Sequence, residues 1–370
     1  MAVTAPTSFG RSAEPIPDEL PATTVNHAPD QNVLNYWTHE RMAASKSLDS
    51  PAADDSTQER SVADGNNGDS SSSTDPAAMT EPVAPVADGG ATPPARAKGK
   101  LFFNGYASDN TYCTASVLST PSKSVVITAA HCVYSAEEGW VKDAVFVPDY
   151  DRTQADPDPV GVWTVRSIRT FNSWRADQTD YSSDVAYVTL NNGGDANKPV
   201  ADVVGGYGLA WGGSHVFRAT IFGYPTNKTS PDGSSTVHSC VRTTEQSEGK
   251  LKVEGCDFGM GASGGPWLYR YNESTGLGYV RSVTSLWRPL DGVNRGPYFT
   301  EAVKTMLDAT AGGLSGGASA GDDLGPGGLL GGVEGSQLGD AGEAGVAHDG
   351  AGHLGLVGGA VELVLGAAVQ

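Results

Sequence analysis

The sequence has little positive charge: 24 Lys and Arg residues against 43 Asp and Glu give a formal net charge of −19. It also has no basic cluster, which excludes nucleic acid as the main partner. It lacks any apolar run of about 18 residues, so no membrane-spanning helix is predicted. The nearest candidate, residues 354–369, is short, rich in glycine and interrupted by Glu362.

Cysteine is scarce: the chain has four, which fall into two local pairs, Cys113 with Cys132 and Cys240 with Cys256. Four cysteines allow three pairings, and sequence alone does not choose among them. Neither local pair has the C-x-x-C spacing of zinc sites, so no metal centre is predicted. An even, locally paired set is typical of disulfides in secreted proteins.

Residues 1–17 lack the basic start and the continuous apolar stretch of a signal peptide. This conflicts with export, unless the true start lies upstream of Met1. We expect the upstream start, and a secreted protein, because the cysteine pattern favours an oxidising environment.

Composition divides the chain into four parts. Residues 1–49 contain one predicted helix, at 38–47, with Thr38 as its cap. Residues 50–99 are rich in Asp, Ser, Ala, Pro and Gly and are predicted to be a disordered linker. Residues 309–370 are predicted to be a low-complexity acidic tail. About a third of their positions are glycine, and they contain no Lys or Arg. A shifted reading frame would also produce such a run.

Residues 100–308 have a different character. Short runs rich in Val, Thr, Tyr and Trp recur between turn residues, for example at 113–118, 141–147 and 185–190. Few are long enough for a helix, and regular short strands predict an all-β barrel or sandwich. One closing helix is predicted at 301–308.

Two motifs carry the chemistry. Residues 261–266 read Gly-Ala-Ser-Gly-Gly-Pro, and residues 128–132 read Thr-Ala-Ala-His-Cys. A serine hydroxyl is a weak nucleophile until a positioned base removes its proton, so His131 is the predicted partner of Ser263. Asp184 opens a strand-like run and is predicted to orient the histidine. Asp177 and Asp180 are the competing carboxylates, and each lies in a polar loop.

The order His131, Asp184, Ser263 and the two motifs resemble the trypsin/chymotrypsin-like serine peptidases over about residues 100–308. The resemblance implies two six-stranded antiparallel β-barrels with a short C-terminal helix. It implies Ser263 as nucleophile, His131 as general base and then acid, and Asp184 as orienter. The backbone N–H groups of Gly261 and Ser263 would form the oxyanion hole. The implied activity is hydrolysis of a polypeptide substrate through an acyl-enzyme, by a monomer without a cofactor or metal.

Other interpretations of the serine motif remain. Gly-x-Ser-x-Gly also fits the nucleophile elbow of α/β-hydrolases, but that fold needs its histidine after the serine. Only His348 and His353 follow Ser263, and both lie in the glycine-rich tail. A catalytically inactive trypsin-like binding module and a non-peptidase acyl hydrolase on the same fold are further alternatives.

The substrate pocket is predicted to include Asp257, Ser285 and Trp287. Asp257 lies six residues before the nucleophile, where trypsin-like members carry the aspartate that selects Lys or Arg. The family cysteine two positions later is Gly259 here, and Trp287 stands where relatives often keep glycine. A glutamyl-endopeptidase pocket would place a histidine near Thr284.

Activation is predicted to follow bacterial relatives. Ala262 replaces the aspartate that in many animal members pairs with the new N-terminal amine. Residues 34–42 resemble the pro-regions of secreted actinobacterial members, which implies a zymogen whose residues 1–49 are a pro-region. Its removal is predicted between residues 50 and 100.

Overall fold

The computed structural model describes residues 22–25, 30–48, 74–87, 90–105, 109–228 and 234–312. Nearly all of the predicted tail, and residues 50–73 and 88–89 of the predicted linker, lie outside the described residues.

Strands dominate the described chain. In chain order they are β1 (Ala22–Val25), β2 (Lys46–Ser47), β3 (Ala78–Met79), β4 (Lys98–Asn104), β5 (Thr111–Leu118), β6 (Val125–Thr128), β7 (Tyr134–Ser135), β8 (Gly139–Trp140), β9 (Lys142–Pro148), β10 (Trp163–Thr170), β11 (Ala186–Leu190), β12 (Gly208–Trp211), β13 (Arg218–Gly223), β14 (His238–Thr243), β15 (Glu245–Ser247), β16 (Lys250–Val253), β17 (Pro266–Asn272), β18 (Leu277–Val283), β19 (Leu286–Arg288) and β20 (Val293–Pro297). The helices are α1 (Asp30–Tyr36), α2 (His39–Ala44), α3 (Asn172–Ala176), α4 (Val200–Val204) and α5 (Glu301–Gly312), with 3₁₀ turns at Ala130–Cys132 and Tyr181–Ser183.

Six strands of the N-terminal half close into a barrel in the order β10, β11, β6, β5, β4 and β9, and β9 pairs back with β10. The strands β5 and β6 are buried along their whole length. Closure leaves the ring without a free edge strand, and the inward side chains fill its interior. Two short strands pair on the outside, β1 with β10 and β2 with β5.

Six strand paths of the C-terminal half close in the same way. The strand β14 continues through Thr244 into β15, and β18 continues through Thr284 and Ser285 into β19. The resulting circuit runs β13, β14/β15, β16, β20, β19/β18 and β17, and β17 pairs back with β13. The predicted fold of two six-stranded antiparallel barrels is confirmed.

The helices only partly match the sequence prediction. The short helix predicted at 38–47 is α2, with the Thr38 side chain accepting a hydrogen bond from the backbone of Arg41. The preceding α1 was not predicted. The closing helix is α5, which extends the predicted span and buries Val303, Met306 and Leu307. Within the described residues, no helix is long and apolar enough to cross a membrane.

Residues 74–87 and 90–99 differ from the predicted linker. The strand β3 pairs with β12, Val83 bridges to Gly206, and β4 begins at Lys98, inside the predicted linker. Ala95 and Ala97 are buried in the domain. The composition of this stretch did not predict the pairing, because a backbone that pairs with the edge of an existing sheet needs few large apolar side chains.

Arg281 anchors the start of this stretch. Its side chain is 2% exposed, and its guanidinium donates to four carbonyl oxygens, those of Thr74, Asp75, Gly212 and Ser214. These bonds satisfy both terminal nitrogens of the guanidinium, while Nε has no hydrogen-bond partner among the described residues, so residues 74–75 form part of the structure around Arg281.

We expect Arg281→Met to lower the free energy of unfolding by about 2–4 kcal/mol, because four carbonyl oxygens lose their charged donor. Hydrogen exchange at Thr80 and Val83 should also quicken, because residues 74–83 lose their anchor. Denaturant unfolding and amide exchange measure the two effects.

Arg270→Met is the matched control. Arg270 also pairs with Asp75, but both side chains are more than half exposed. It should change the free energy of unfolding by less than about 1 kcal/mol. Equal losses in the two variants would contradict an anchoring role for Arg281.

Candidate active site

The 3₁₀ turn after β6 holds His131. A disulfide joins Cys132 in this turn to Cys113 in β5, so the histidine is tied to the barrel wall. The second disulfide joins Cys240 to Cys256 in the other barrel. Both predicted cysteine pairs are therefore confirmed. Disulfides that close such short loops typically contribute about 2–4 kcal/mol.

Asp184 faces His131 because β11, which follows it closely, pairs with β6, which precedes the histidine. The Asp184 Oδ2 lies 2.7 Å from His131 Nδ1, and Oδ1 accepts the His131 backbone N–H at 2.8 Å. An ionised carboxylate at Nδ1 selects the tautomer that carries its proton there, which leaves Nε2 able to act as a base.

The Asp184 carboxylate is fully buried, and Ser285 Oγ also donates to its Oδ2 at 2.5 Å. Burial raises the pKa of Asp184, but the adjacent His131 ring and the hydrogen bonds from His131 and Ser285 outweigh that effect. The net pKa of Asp184 lies below its usual range. The competing carboxylates of Asp177 and Asp180 instead accept hydrogen bonds within their own exposed loops, from Thr179 and Ser182.

Ser263 lies in the loop that leads into β17 and is only 2% exposed. The neighbouring Gly264 has φ of +80°, and a methyl group there would lie 2.0 Å from Thr128 Oγ1. Only glycine allows this approach. The serine loop is therefore packed against residues 128–129, just before His131.

Thr114 in β5 fixes the backbone of the same loop. Its N–H donates to Ser263 O at 2.8 Å, and its Oγ1 donates to Gly261 O at 2.8 Å. Gly261 has φ of +88°, and a methyl group there would lie 2.5 Å from Tyr112 Oη. The predicted oxyanion-hole residues thus have a backbone held by the other barrel.

The predicted pocket residues are distributed over two places. Trp287 Nε1 donates to Asp257 Oδ1 at 2.9 Å, and Lys228 Nζ lies 3.6 Å from Asp257 Oδ2. The Asp257 side chain is 46% exposed. The hydroxyl of Ser285, the third predicted pocket residue, donates to Asp184 Oδ2.

Two clusters in the described residues have metal-ligand types close together. In the first, Cys113 and Cys132 are joined as a disulfide beside His131, so their sulfurs are not available as thiolates. The second is exposed and contains His39, whose Nε2 lies 2.7 Å from Asp158 Oδ1.

The family model "Trypsin" matches residues 95–299, more than half of the chain. The chain belongs to the trypsin family. This family membership makes it a serine-type endopeptidase and explains the double barrel around the His131 and Ser263 motifs.

Solved structures with the same fold include two bacterial-type proteases. Protease Anisep from Arthrobacter nicotinovorans is 24% identical, covers 62% of this chain and 99% of its own, and has a TM-score of 0.52. The thermostable serine protease AL20, from an extremophilic microorganism, is 24% identical, covers 59% of this chain and 98% of its own, and also has a TM-score of 0.52. A search of curated proteins finds no significant match to this sequence.

Sequence reasoning missed three residues of this trypsin-family site. Thr114 and Tyr112 have the ordinary residue types of a buried strand, and their links to the serine loop span more than 140 positions. Lys228 follows a turn and belongs to no motif. The one available signal was that Thr114 follows Cys113 in the sequence. A disulfide from Cys113 to Cys132 brings the strand neighbours of Cys113 close to His131.

We expect Ser285→Ala to lower the free energy of unfolding by about 1.5–3 kcal/mol at neutral pH, because the ionised Asp184 loses a hydrogen bond. The folded-state pKa of Asp184 should rise toward its unfolded value of about 3.9. A depressed pKa stabilises the folded state above the unfolded value, and this contribution is lost as pH falls through the folded value. The deficit should therefore shrink in acid, as denaturant unfolding at stepped pH would show.

Ser282→Ala is the control for this experiment. Ser282 is also fully buried, but its hydroxyl donates to the carbonyl oxygen of Pro297, which does not titrate. Its deficit should be the same at every pH. A Ser285→Ala deficit that also stays constant would show that the hydroxyl does not act through the Asp184 charge.

Proposed function

We propose that this chain is the precursor of a secreted endopeptidase that cleaves peptide bonds with His131, Asp184 and Ser263. The observation that carries the proposal is the buried Asp184 carboxylate bonded to His131 Nδ1, with the Ser263 loop packed against residues 128–129. A nucleophile motif, a histidine whose tautomer is fixed by a carboxylate, and an ionised orienter are the parts that acyl transfer needs.

The reaction follows from these parts. Ser263 Oγ attacks the scissile carbonyl carbon while His131 Nε2 takes the hydroxyl proton, and Asp184 stabilises the resulting imidazolium. The negative oxygen of the tetrahedral intermediate is stabilised by the backbone N–H groups of Gly261 and Ser263. When the C–N bond breaks, His131 gives its proton to the leaving amine, and water then hydrolyses the acyl-enzyme by the same steps. No cofactor or metal takes part.

An inactive binding module is the alternative, and the site argues against it. Isolating an ionised carboxylate from water is unfavourable unless it is fully hydrogen-bonded. Asp184 is hydrogen-bonded in this way to His131. The neighbouring serine loop has a backbone conformation that requires glycine at Gly261 and Gly264. A pure binding module has no need of that arrangement.

Secretion and a zymogen stage are part of the same proposal. The two disulfides suit an oxidising compartment. The described residues 74–87 and 90–97 are built into the domain, beginning at Arg281 and β12, so we place the removal of the pro-region before residue 74. A cut between residues 48 and 74 removes residues 1–48 with the N-terminal fragment.

The nucleophile is tested with a fluorophosphonate probe on the secreted chain. Labelling should be lost in Ser263→Ala and in His131→Ala, and the peptide-hydrolysis rate should fall by about 10⁶-fold in each. Ser274→Ala is the control, since this exposed serine bonds only within its own turn as far as the described contacts show, and labelling should persist. Labelling that survives in Ser263→Ala would contradict the proposed nucleophile.

Primary specificity depends on Asp257 in this proposal. Its carboxylate favours a cationic substrate side chain, but Lys228 already lies beside it and offsets its charge. We expect Lys228→Ala to raise the kcat/KM preference for Lys or Arg over a neutral residue roughly tenfold, and Asp257→Asn to lower it by a similar factor. A panel of peptide amides that differ at the cleaved residue measures both.

Lys252→Ala is the control, because Lys252 pairs with surface glutamates and should leave the preference unchanged. Opposite shifts in the two test variants would support the pocket. No shift in Asp257→Asn would mean that Asp257 does not contact the cleaved residue's side chain.

A further inference from the structure

We propose that residues 30–48 are an inhibitory segment that lends a strand to β5 beside Ser263, and that a polypeptide substrate takes this surface after the segment leaves. The inference rests on the proposed function and names how the zymogen is held inactive. Below, residues 30–48 are called the inhibitory segment.

The segment is held first by backbone pairing. The strand β2 lies parallel to β5, with Lys46 opposite Thr111 and Ser47 opposite Tyr112. The Lys46 N–H donates to Asn110 O at 2.9 Å, and the Leu48 N–H donates to Tyr112 O at 3.1 Å. These bonds use the part of the β5 edge that β6 leaves unpaired, since β6 pairs only from Ser116 onward. Such an edge is a template for any extended chain.

This edge leads directly to the nucleophile. Thr114, two residues beyond Tyr112, donates its N–H to Ser263 O at 2.8 Å. With a rise of about 3.3 Å per strand residue, the Leu48 contact lies only about 7 Å along the strand from Thr114. Leu48 is buried in the same cluster as Cys113 and Cys132, which flank the histidine. An extended substrate that reaches Ser263 from this side needs the space that β2 occupies.

The second attachment of the inhibitory segment is an aromatic contact. Trp37 is 4% exposed, its ring centroid lies 5.5 Å from that of Phe102, and its Nε1 donates to Asp143 O at 2.6 Å. Trp37 and Met42 share a buried cluster with Phe102 and Tyr112. Large buried rings with a satisfied N–H are typical anchors of a specific interface.

Tyr112 connects this interface to the reacting centre. Its backbone pairs with β2, and its ring packs in the cluster with Trp37. Its hydroxyl donates to Tyr224 O and lies against Gly261. The segment therefore binds a residue that also supports the predicted oxyanion hole.

The inhibitory segment differs from residues 74–97 in how it is attached. Thr74 and Asp75 supply carbonyl partners for the buried Arg281, and Ala97 lies in the barrel core. The inhibitory segment instead covers an outer face through one short strand, a few rings, and an ion pair between His39 and Asp158. One cut between residues 48 and 74 separates the removable part from the permanent part.

The test uses the full chain as secreted, its Trp37→Ala and Lys46→Pro variants, and Leu34→Ala as the matched control. Leu34 lies in α1, three residues before Trp37, but its side chain is exposed. Lys46→Pro removes the N–H bonded to Asn110 and fixes φ at this position, and it deletes no buried side chain because Lys46 is exposed. A fluorophosphonate is added, and intact mass spectrometry shows whether the adduct is on the uncut or the shortened chain.

In the wild type and in Leu34→Ala, we expect the adduct mainly on chains that begin between residues 49 and 74. In Trp37→Ala and in Lys46→Pro, the uncut chain should be labelled roughly tenfold faster or more, since weaker docking uncovers the site. If Trp37→Ala fails to fold, Lys46→Pro alone decides.

Uncut wild-type chain that is labelled as fast as both variants, with labelling dependent on Ser263, would overturn the inhibitory segment and leave the proposed function standing. Absence of labelling on every chain, cut or uncut, would overturn the proposed function, and this inference with it.

Discussion

Thr114 holds the two barrels in the relation that the active site requires. Its backbone N–H and its hydroxyl donate to the serine loop, at Ser263 O and Gly261 O. Its hydroxyl accepts the N–H of Tyr224, and its carbonyl accepts the hydroxyl of Thr128. A single buried threonine thus joins the strand beside His131 to the loop that carries Ser263. Its polar groups are satisfied across the barrel boundary, so any shift between the barrels would leave buried groups unpaired.

The second constraint is the charge kept in the interior. Asp184 stays ionised although water does not reach it, because the histidine, a backbone N–H and a serine from the other barrel all direct donors to it. The carboxylate can therefore stabilise an imidazolium without first losing a hydration shell. Low dielectric strengthens these bonds, and it also makes the loss of any one of them expensive.

The N-terminal part of the chain meets the domain in two distinct ways. Around Arg281 it completes a buried cation site, and further along it enters the barrel wall as β4. Around Trp37 it covers an outer face and a strand edge close to Ser263. The first kind of contact encloses a buried cation and is part of the folded domain, whereas the second relies on backbone bonds and packed rings. That difference in attachment is what allows one stretch of chain to be structural and another to be regulatory.

The sequence by itself determined the fold class and the motif residues. Short alternating runs and local cysteine pairs are encoded over neighbouring positions, and His131, Ser263 and Asp184 each lie in a recognisable local context. The order of those motifs sufficed to identify the family. Local patterns of this kind survive in a linear chain because strand periodicity and turn chemistry act over a few residues.

Tertiary structure alone decided which groups surround those residues. The sequence predicted Ser285 as a pocket residue and gave no sign that its hydroxyl donates to Asp184. It predicted residues 50–99 to be a linker, although Ala78–Met79 pair with β12 and the carbonyls of Thr74 and Asp75 accept hydrogen bonds from Arg281. Lys228 beside Asp257 belonged to no motif. Each of these contacts joins positions far apart in the chain through one hydrogen bond or ion pair. Such a contact produces no periodic pattern in the sequence, because its geometry exists only after both barrels have closed.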